Sequence, residues 1–291
     1  MENLKKFLKN NNINYIENER LSNHTTFGIG GPCKIMTFPK NIEEIFELCY
    51  KLNLENIPYY VIGNGSNLLV KDSGYKGIII KLGSNFQNIK QEGNKIICQS
   101  GLKLYSMHKY LMDNNLTGLE FSFGIPGTVG GATIMNAGAY ENCIGNFIDR
   151  VYYLKNNRIE IKKKEDLYFG YRISNIDGIV LATKFKLTTG YDVKEKCKRY
   201  LLKRKQTQPY NEKSAGSIFK RQNDFIVSKQ IDILGLKGYN INGAEISTKH
   251  AGFIVNKGGA KCDDVLALID YIKEQVFRNF GRILELEIKI L

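Results

Sequence analysis

The chain has 291 residues, 43% of them hydrophobic, and a formal net charge of +13. That length can bury a large core split over two or three domains, and no apolar run approaches the roughly 20 residues a membrane-spanning helix needs. The six cysteines, at 33, 49, 98, 143, 197 and 262, form no C-x-x-C pair, which argues against a zinc ribbon or disulfide framework and fits reduced thiols; no metal site is expected. The positive charge reads in two ways, as a protein that handles polyanions or as a Lys-, Asn- and Ile-rich composition that solvates the surface. The basic residues are spread along the chain, with short runs only at Lys162-Lys163-Lys164 and Lys203-Arg204-Lys205. Neither run is interleaved with stacking aromatics, and no DNA- or RNA-binding motif is present.

In chain order, Leu4 to Asn14 reads as a short helix. The first residues, Met1 to Asn10, lack the long apolar segment of a secretory signal, so a cytoplasmic protein is expected. Asn41 caps a helix over Ile42 to Leu52, with Glu44 at the capping-box position and Ile42, Ile45, Phe46 and Cys49 on one apolar face. Tyr59 to Ile62, Leu68 to Val70 and Gly77 to Leu82 read as strands, and Lys95 to Ser100 as another. A helix from Leu104 to Asn114 carries Leu104, Met107, His108 and Leu111 inward. Val151 to Leu154 and Arg158 to Ile161 make a hairpin through Asn156-Asn157, a pair tolerant of positive φ. Val180 to Thr188 is a strand, and Tyr191 to Gln206 a charged connecting helix, with a domain boundary near Thr189-Gly190. Beyond it come a strand at Ser217 to Lys220, a helix at Phe225 to Leu234, strands at Ala244 to Ile246 and Phe253 to Val255, and a helix starting near Asp263. The stripe Val265, Leu268, Ile269, Ile272, Val276 and Phe280 runs along that last helix, and Gly281 ends it. Leu284 to Ile290 alternates strictly, which puts Leu284, Leu286, Ile288 and Ile290 on the core face and Glu285, Glu287 and Lys289 toward water.

Two glycine clusters interrupt this pattern. Gly63-Asn64-Gly65-Ser66-Asn67 lies between two apolar β-prone segments, and Gly124 to Tyr140 holds glycines at 124, 127, 130, 131 and 138. Such clusters suit backbone that approaches a flat or phosphorylated ligand, or amides that converge on an anion. Neither fits the dinucleotide fingerprint G-x-G-x-x-G: position 68 is Leu, and for Gly28-Ile29-Gly30 position 33 is Cys. Phosphate binding is indicated and a Rossmann domain is not.

Together these blocks resemble a known family. Leu21-Ser-Asn-His-Thr-Thr-Phe-Gly-Ile-Gly-Gly-Pro32, Ile62 to Asn67, Gly124 to Ala132 and Met135-Asn-Ala-Gly-Ala-Tyr140 are similar to UDP-N-acetylenolpyruvoylglucosamine reductases (MurB), from about Leu21 to the end of the chain. The resemblance implies an α+β protein. A two-lobed FAD-binding unit of the vanillyl-alcohol-oxidase/PCMH type would span 1–190, with lobes of about 1–80 and 81–190. A C-terminal α+β substrate-binding domain would span 191–291. The short span between Arg172 and Ser217 is similar to the compact subclass of the family.

The resemblance also implies the chemistry. FAD binds non-covalently, NADPH is the reductant, and UDP-N-acetylglucosamine enolpyruvate is reduced to UDP-N-acetylmuramate for peptidoglycan synthesis. Thr25, Gly63, Gly65, Ser66, Asn67, Gly127, Thr128, Gly130 and Gly131 are the positions expected near the cofactor. Ser217, in Ala215-Gly-Ser-Ile-Phe-Lys220, is the expected proton donor; no G-x-S-x-G elbow surrounds it, so a hydrolase nucleophile is not supported. Arg172, among Tyr168, Phe169 and Tyr171, and Glu287 are expected to stabilise an enolate-like charge. On pattern alone Glu287 would face water, and it is the match to the family's C-terminal Leu-Glu-x-Glu block that selects it over Glu285. Arg221, Lys237 and His250 are candidates for the sugar-nucleotide diphosphate and uridine, with Lys220 a near neighbour. Gln222 and Leu286 stand where the family often has Pro. A monomer is favoured, and no nucleic-acid or membrane partner is expected. Two alternatives remain: another flavin oxidoreductase of the same superfamily acting on an alcohol or sugar, and a basic nucleic-acid-binding protein.

Overall fold

A computed structural model describes residues 1–222 and 224–291. The chain forms two compact units. Unit 1 comprises Met1–Glu17, Ile35–Asn64 and Gly77–Leu202; unit 2 comprises Asn18–Lys34, Gly65–Lys76 and Lys203–Leu291. Neither is a single run of chain, in contrast to the contiguous domains expected from the turn at Thr189-Gly190. The connecting helix α5 (Val193–Thr207) explains the later division. Its first turns bury Val193 and Cys197 against Phe123, so they belong with unit 1.

Among the described residues, two sheets of unit 1 have more than two strands. The first has the order Asn14–Glu17, Cys33–Phe38, Tyr75–Lys81, Tyr59–Ile62, and its last pair is parallel. Helices α1 (Glu2–Asn10) and α2 (Ile42–Leu54) cover it with Leu4, Leu8, Ile45, Leu48, Cys49 and Leu52. Helix α1 stops short of the expected Asn14 because Asn12 turns to φ 53 and releases the chain into a strand. The Asn41 side chain accepts from the Glu44 amide as expected of an N-cap. The buried stripe is Ile45, Leu48, Cys49 and Leu52, however, and Phe46 is 37% exposed. Spacings of three and four residues put 45, 48, 49 and 52 on one face and 46 beside it.

The second sheet is fully antiparallel, in the order Arg158–Lys163, Ile148–Lys155, Ile179–Lys186, Lys95–Gln99, Ile89–Glu92. Its hairpin turns at Asn156 and Asn157, both at positive φ (47° and 56°), as the sequence anticipates. Helices α3 (Leu104–Asp113) and α4 (Val129–Ile134) pack on it, and α3 buries Leu104, Met107, His108 and Leu111. His108 is enclosed: Nε2 lies 2.8 Å from Ser122 Oγ, and burial pushes its pKa down to about 3, so it is a neutral structural histidine.

Unit 2 builds a core on a three-stranded antiparallel sheet, Asn240–Ile241, Ala244–Ile246 and Ile254–Asn256. Helices α6 (Val227–Ile233) and α7 (Cys262–Phe280) contribute Ile231, Val265, Leu268, Ile269, Ile272 and Val276 to it. Gly281 ends α7 in the left-handed conformation at φ 63. Two expected strands are reduced here. Ser217 to Lys220 is extended backbone held by isolated bridges, and Leu284 to Ile290 keeps only Lys289–Ile290 as a strand. That strand runs parallel to Leu68–Leu69. The segment after Gly65 therefore pairs with the C-terminus and not with Tyr59–Ile62. No helix among the described residues is long and apolar enough to cross a membrane.

Candidate active site

In unit 1 the first glycine turn leaves the strand Tyr59–Ile62 directly at Gly63. A Cβ there would fall 2.2 Å from Thr128 Oγ1, so only glycine lets this turn sit against the second cluster. Asn64 Nδ2 donates to the Pro126 carbonyl at 2.6 Å, a further tie between the two clusters. Thr128 caps α4 by accepting from the Gly131 amide; the Leu104 amide donates to the Gly127 carbonyl, and the Gly130 amide to that of Ser100. The structure thus brings Gly63, Gly127, Thr128, Gly130 and Gly131 together.

Two groups at this place carry no motif and were not expected. Lys81, at the end of the neighbouring strand, donates from Nζ to the Gly63 carbonyl at 2.5 Å. Burial, and secondarily the charge of Lys103, push its pKa down to about 8; among the described residues it has no carboxylate partner. The Ser100 hydroxyl is buried without a hydrogen-bond partner among the described residues. A half-buried cation and an orphaned hydroxyl beside a glycine turn suit an anionic, hydrogen-bonding ligand.

Arg172 is also in unit 1, in the two-residue turn between the paired segments Phe169–Gly170 and Ile173–Ser174. Its φ is 56, a conformation that L-residues other than Asn seldom adopt. The guanidinium lies 4.9 Å from the centre of the Tyr171 ring and donates from Nη2 to the Gly138 carbonyl at 3.2 Å. Of the aromatic seat expected around it, Tyr171 stacks on the guanidinium, and both Tyr171 and Tyr168 are exposed.

In unit 2, Ser217 and Glu287 occupy adjacent extended segments. Ser217 bridges Phe253 on one side, and on the other Phe219 bridges Leu286 in antiparallel register. The Glu287 amide donates to the Ile218 carbonyl at 2.8 Å, which places Glu287 one residue diagonal from Ser217. The expected alternation fails at this point. Glu287 is only 9% exposed while Ile290 is 41% exposed, because the chain bends between the Leu286 bridge and the Lys289 strand. Glu285 remains outside and pairs with Lys220 at 2.8 Å, which occupies that lysine.

Of the remaining cofactor candidates, all in unit 2, Asn67 is tied to the Glu287 backbone. Gly65 has φ 61, and a Cβ on it would meet the His24 carbonyl at 2.3 Å, so it stacks on the His24-Thr25 backbone. The Thr25 hydroxyl donates to the Ile29 carbonyl at 3.1 Å and that of Thr26 to the Ser214 carbonyl at 2.7 Å, which ties this loop to the Ser217 segment. Ser66 sits half-buried in the turn. Asn67 donates from Nδ2 to the Glu287 carbonyl at 3.2 Å, and its own carbonyl accepts from the Lys289 amide at 2.9 Å.

The expected substrate-binding residues are less concentrated. His250 packs edge-on against Phe253, the bridge partner of Ser217, and its Nδ1 accepts from the Gly252 amide at 3.1 Å. Burial holds its pKa below the ordinary value, so the neutral ring presents Nε2–H as a donor. Lys237 is engaged with Asp232 at 2.7 Å, and Arg221 is exposed. Gln222, where the family often has Pro, uses its side chain to donate to the Ile283 carbonyl at 2.8 Å. Among the described residues no group of three or more His, Cys, Asp or Glu is placed to hold a metal ion.

Residues 33–156 match the model described as "FAD binding domain", which places the chain in the class of FAD-binding proteins. The fold agrees. A BBE-like protein of Physcomitrella patens superposes with a TM-score of 0.51 at 14% identity, over 64% of this chain and 44% of that one. Residues 208–291 match the C-terminal domain model of UDP-N-acetylenolpyruvoylglucosamine reductase. A UDP-N-acetylenolpyruvoylglucosamine reductase of Caldanaerobacter subterraneus subsp. tengcongensis is 41% identical over 100% of this chain and 97% of its own. One of Clostridium botulinum (strain Hall) is 41% identical over 96% and 93%. The crystal structure of the Thermus caldophilus enzyme (MurB) superposes with a TM-score of 0.83 at 33% identity, over 96% of this chain and 98% of that one. The chain belongs to the UDP-N-acetylenolpyruvoylglucosamine reductase family.

Proposed function

We propose that the chain is an NADPH-driven flavoprotein of peptidoglycan precursor synthesis, acting in the cytoplasm. It reduces the enolpyruvyl double bond of UDP-N-acetylglucosamine enolpyruvate to the lactyl ether of UDP-N-acetylmuramate. The observation that carries this reading is the buried Glu287 on the segment hydrogen-bonded beside Ser217, in a chain that aligns with its relatives from end to end.

FAD, when bound, supplies the hydride carrier between NADPH and the substrate. In unit 1, Gly63, Gly127, Thr128, Gly130 and Gly131 would give it close backbone approach. The Lys81 cation and the Ser100 hydroxyl would meet its polar groups. In unit 2 that work falls to Thr25, Gly65, Ser66 and Asn67. All of these positions fall within the FAD-binding region proposed for 1–190, with lobes of about 1–80 and 81–190, ahead of a substrate-binding domain over 191–291, although by contacts Thr25 and Gly65 to Asn67 group with unit 2.

Hydride arrival at the vinyl CH2 leaves an electron pair on the carbon that carries the ether oxygen and the carboxylate. Arg172 stabilises that charge as it spreads into the carboxylate, and Glu287 does so by donating a hydrogen bond from its carboxyl group. Ser217 gives its hydroxyl proton to the carbon, which completes the lactyl ether, and water reprotonates the serine. A hydroxyl serves as a general acid here because the acceptor is a strongly basic carbon. His250, as a neutral donor, together with Lys237 and Arg221 would hold the diphosphate and uridine.

The test is incubation of the purified yellow protein with NADPH and the enolpyruvyl nucleotide under anaerobic conditions. A product heavier by two hydrogens supports the reading. A flavoprotein that leaves the nucleotide unchanged contradicts it.

A further inference from the structure

Among the described residues, those at positive φ that are neither Gly nor Asn are Tyr140, Glu141 and Arg172. All three gather at one node of unit 1. Tyr140 and Glu141 (φ 53 and 66) turn the small hairpin Gly138–Ala139 / Asn142–Cys143, and the Gly138 carbonyl accepts from Arg172. Such conformations persist only where surrounding contacts hold them, and they concentrate at functional sites.

The hairpin that carries Arg172 is two-stranded and, among the described residues, pairs with no larger sheet, an arrangement of marginal stability by itself. Its anchors lie in the last residue of α4 and just beyond it. Asn136 donates from Nδ2 to the Gly170 carbonyl at 2.8 Å, two residues before the arginine. Ser174, two residues after it, donates from Oγ to the Ile134 carbonyl at 2.9 Å. Asn136 is 4% exposed, sits at φ 41, and accepts on Oδ1 from the Gly145 amide at 2.9 Å. With both ends of its amide engaged, the side chain is a fixed bridge from the Gly145 backbone to the base of the Arg172 turn.

We propose that Asn136, supported by Ser174, is a positioning residue that holds Arg172 in its strained turn for the reduction of the enolpyruvyl group; this rests on the role assigned to Arg172 above. Removal of the bridge lets the turn relax, which costs the arginine its orientation and leaves the delivery of hydride from NADPH untouched.

The experiment is a double-mutant cycle in rapid-mixing kinetics of the holoenzyme. Asn136→Asp keeps the acceptor for Gly145 and removes the donor to Gly170. It is expected to slow flavin reoxidation by the enolpyruvyl nucleotide about ten- to a hundredfold, with flavin reduction by NADPH within about twofold of the unmodified enzyme. Ser174→Ala is expected to show the same selectivity with a smaller loss. In Asn136→Asp/Arg172→Ala, reoxidation is expected to be no slower than in Arg172→Ala alone. Multiplicative losses, equal slowing of both half-reactions, or loss of flavin from both variants would overturn the proposal, since each marks a general scaffold role. An Arg172→Ala enzyme that reoxidises normally would instead sink the role of Arg172 itself, and this single variant reads that separately.

Discussion

Asn67 donates its side-chain amide to the backbone carbonyl of Glu287 at 3.2 Å, across 220 residues of chain. One residue on, Leu68 pairs with Lys289 in parallel register. A turn expected to face the cofactor is thereby stapled to a residue expected to face the substrate. Asn67→Ala removes one hydrogen bond to a partly buried carbonyl, a loss of about 1–3 kcal/mol. The expected outcome is FAD affinity lowered by about ten- to a hundredfold together with slower substrate reduction, read by flavin fluorescence titration and by flavin reoxidation. Unchanged values for both would show that the staple is idle.

Gly63 tolerates no side chain, because the Cβ would lie 2.2 Å from Thr128 Oγ1. Gly63→Ala is therefore expected to destabilise the protein by about 1–3 kcal/mol, as overpacking does, and to weaken FAD retention. Thr128→Ala in the same chain removes the opposing hydroxyl, at a cost of about 1 kcal/mol for the lost N-cap. Urea unfolding should find the double variant more stable than the sum of the single losses predicts. Simple addition would mean that the clash is relieved elsewhere.

Lys81 has a pKa near 8 in the folded chain against 10.5 ordinarily, because burial disfavours its charge. Below about pH 8 the folded apoprotein carries this buried charge in full. Between 8 and 10.5 the unfolded chain binds more protons than the folded one, so stability rises with pH across that window. Lys81→Met should remove this rise. An anion beside Gly63 would favour the charged lysine, so FAD affinity should fall as pH rises through about 8 in the unmodified protein and stay flat in Lys81→Met. Parallel pH profiles for the two proteins, in melting and in flavin titration, would contradict both expectations.

Much of this fold is legible in local pattern. The Asn156-Asn157 hairpin, the Asn41 cap and the stripe of α7 with its Gly281 stop each depend on residues within a few positions of one another, where period and turn chemistry decide the outcome. The site is less legible because non-local contacts set it. Glu287 belongs by alternation to the solvent face, and it is buried because bridges to Phe219 and Leu68 bend the final segment. Arg172 occupies a backbone conformation that residue type disfavours, held by Asn136 from more than thirty positions away. Lys81 has no motif around it, and its character comes from burial beside Gly63. The Arg172, Ser217 and Glu287 candidates came from family blocks, because composition and period say nothing about which charged side chain is held in place.

Ser217 is proposed to supply the proton that completes reduction of the enolpyruvyl carbon. The most direct measurement of that step is anaerobic rapid mixing of NADPH-reduced enzyme with the enolpyruvyl nucleotide, followed by flavin absorbance. The unmodified protein should reoxidise rapidly, while Ser217→Ala should accept hydride from NADPH at the normal rate and reoxidise about a hundred- to ten-thousandfold more slowly. Normal reoxidation in Ser217→Ala, or a defect confined to its reduction by NADPH, would contradict the account.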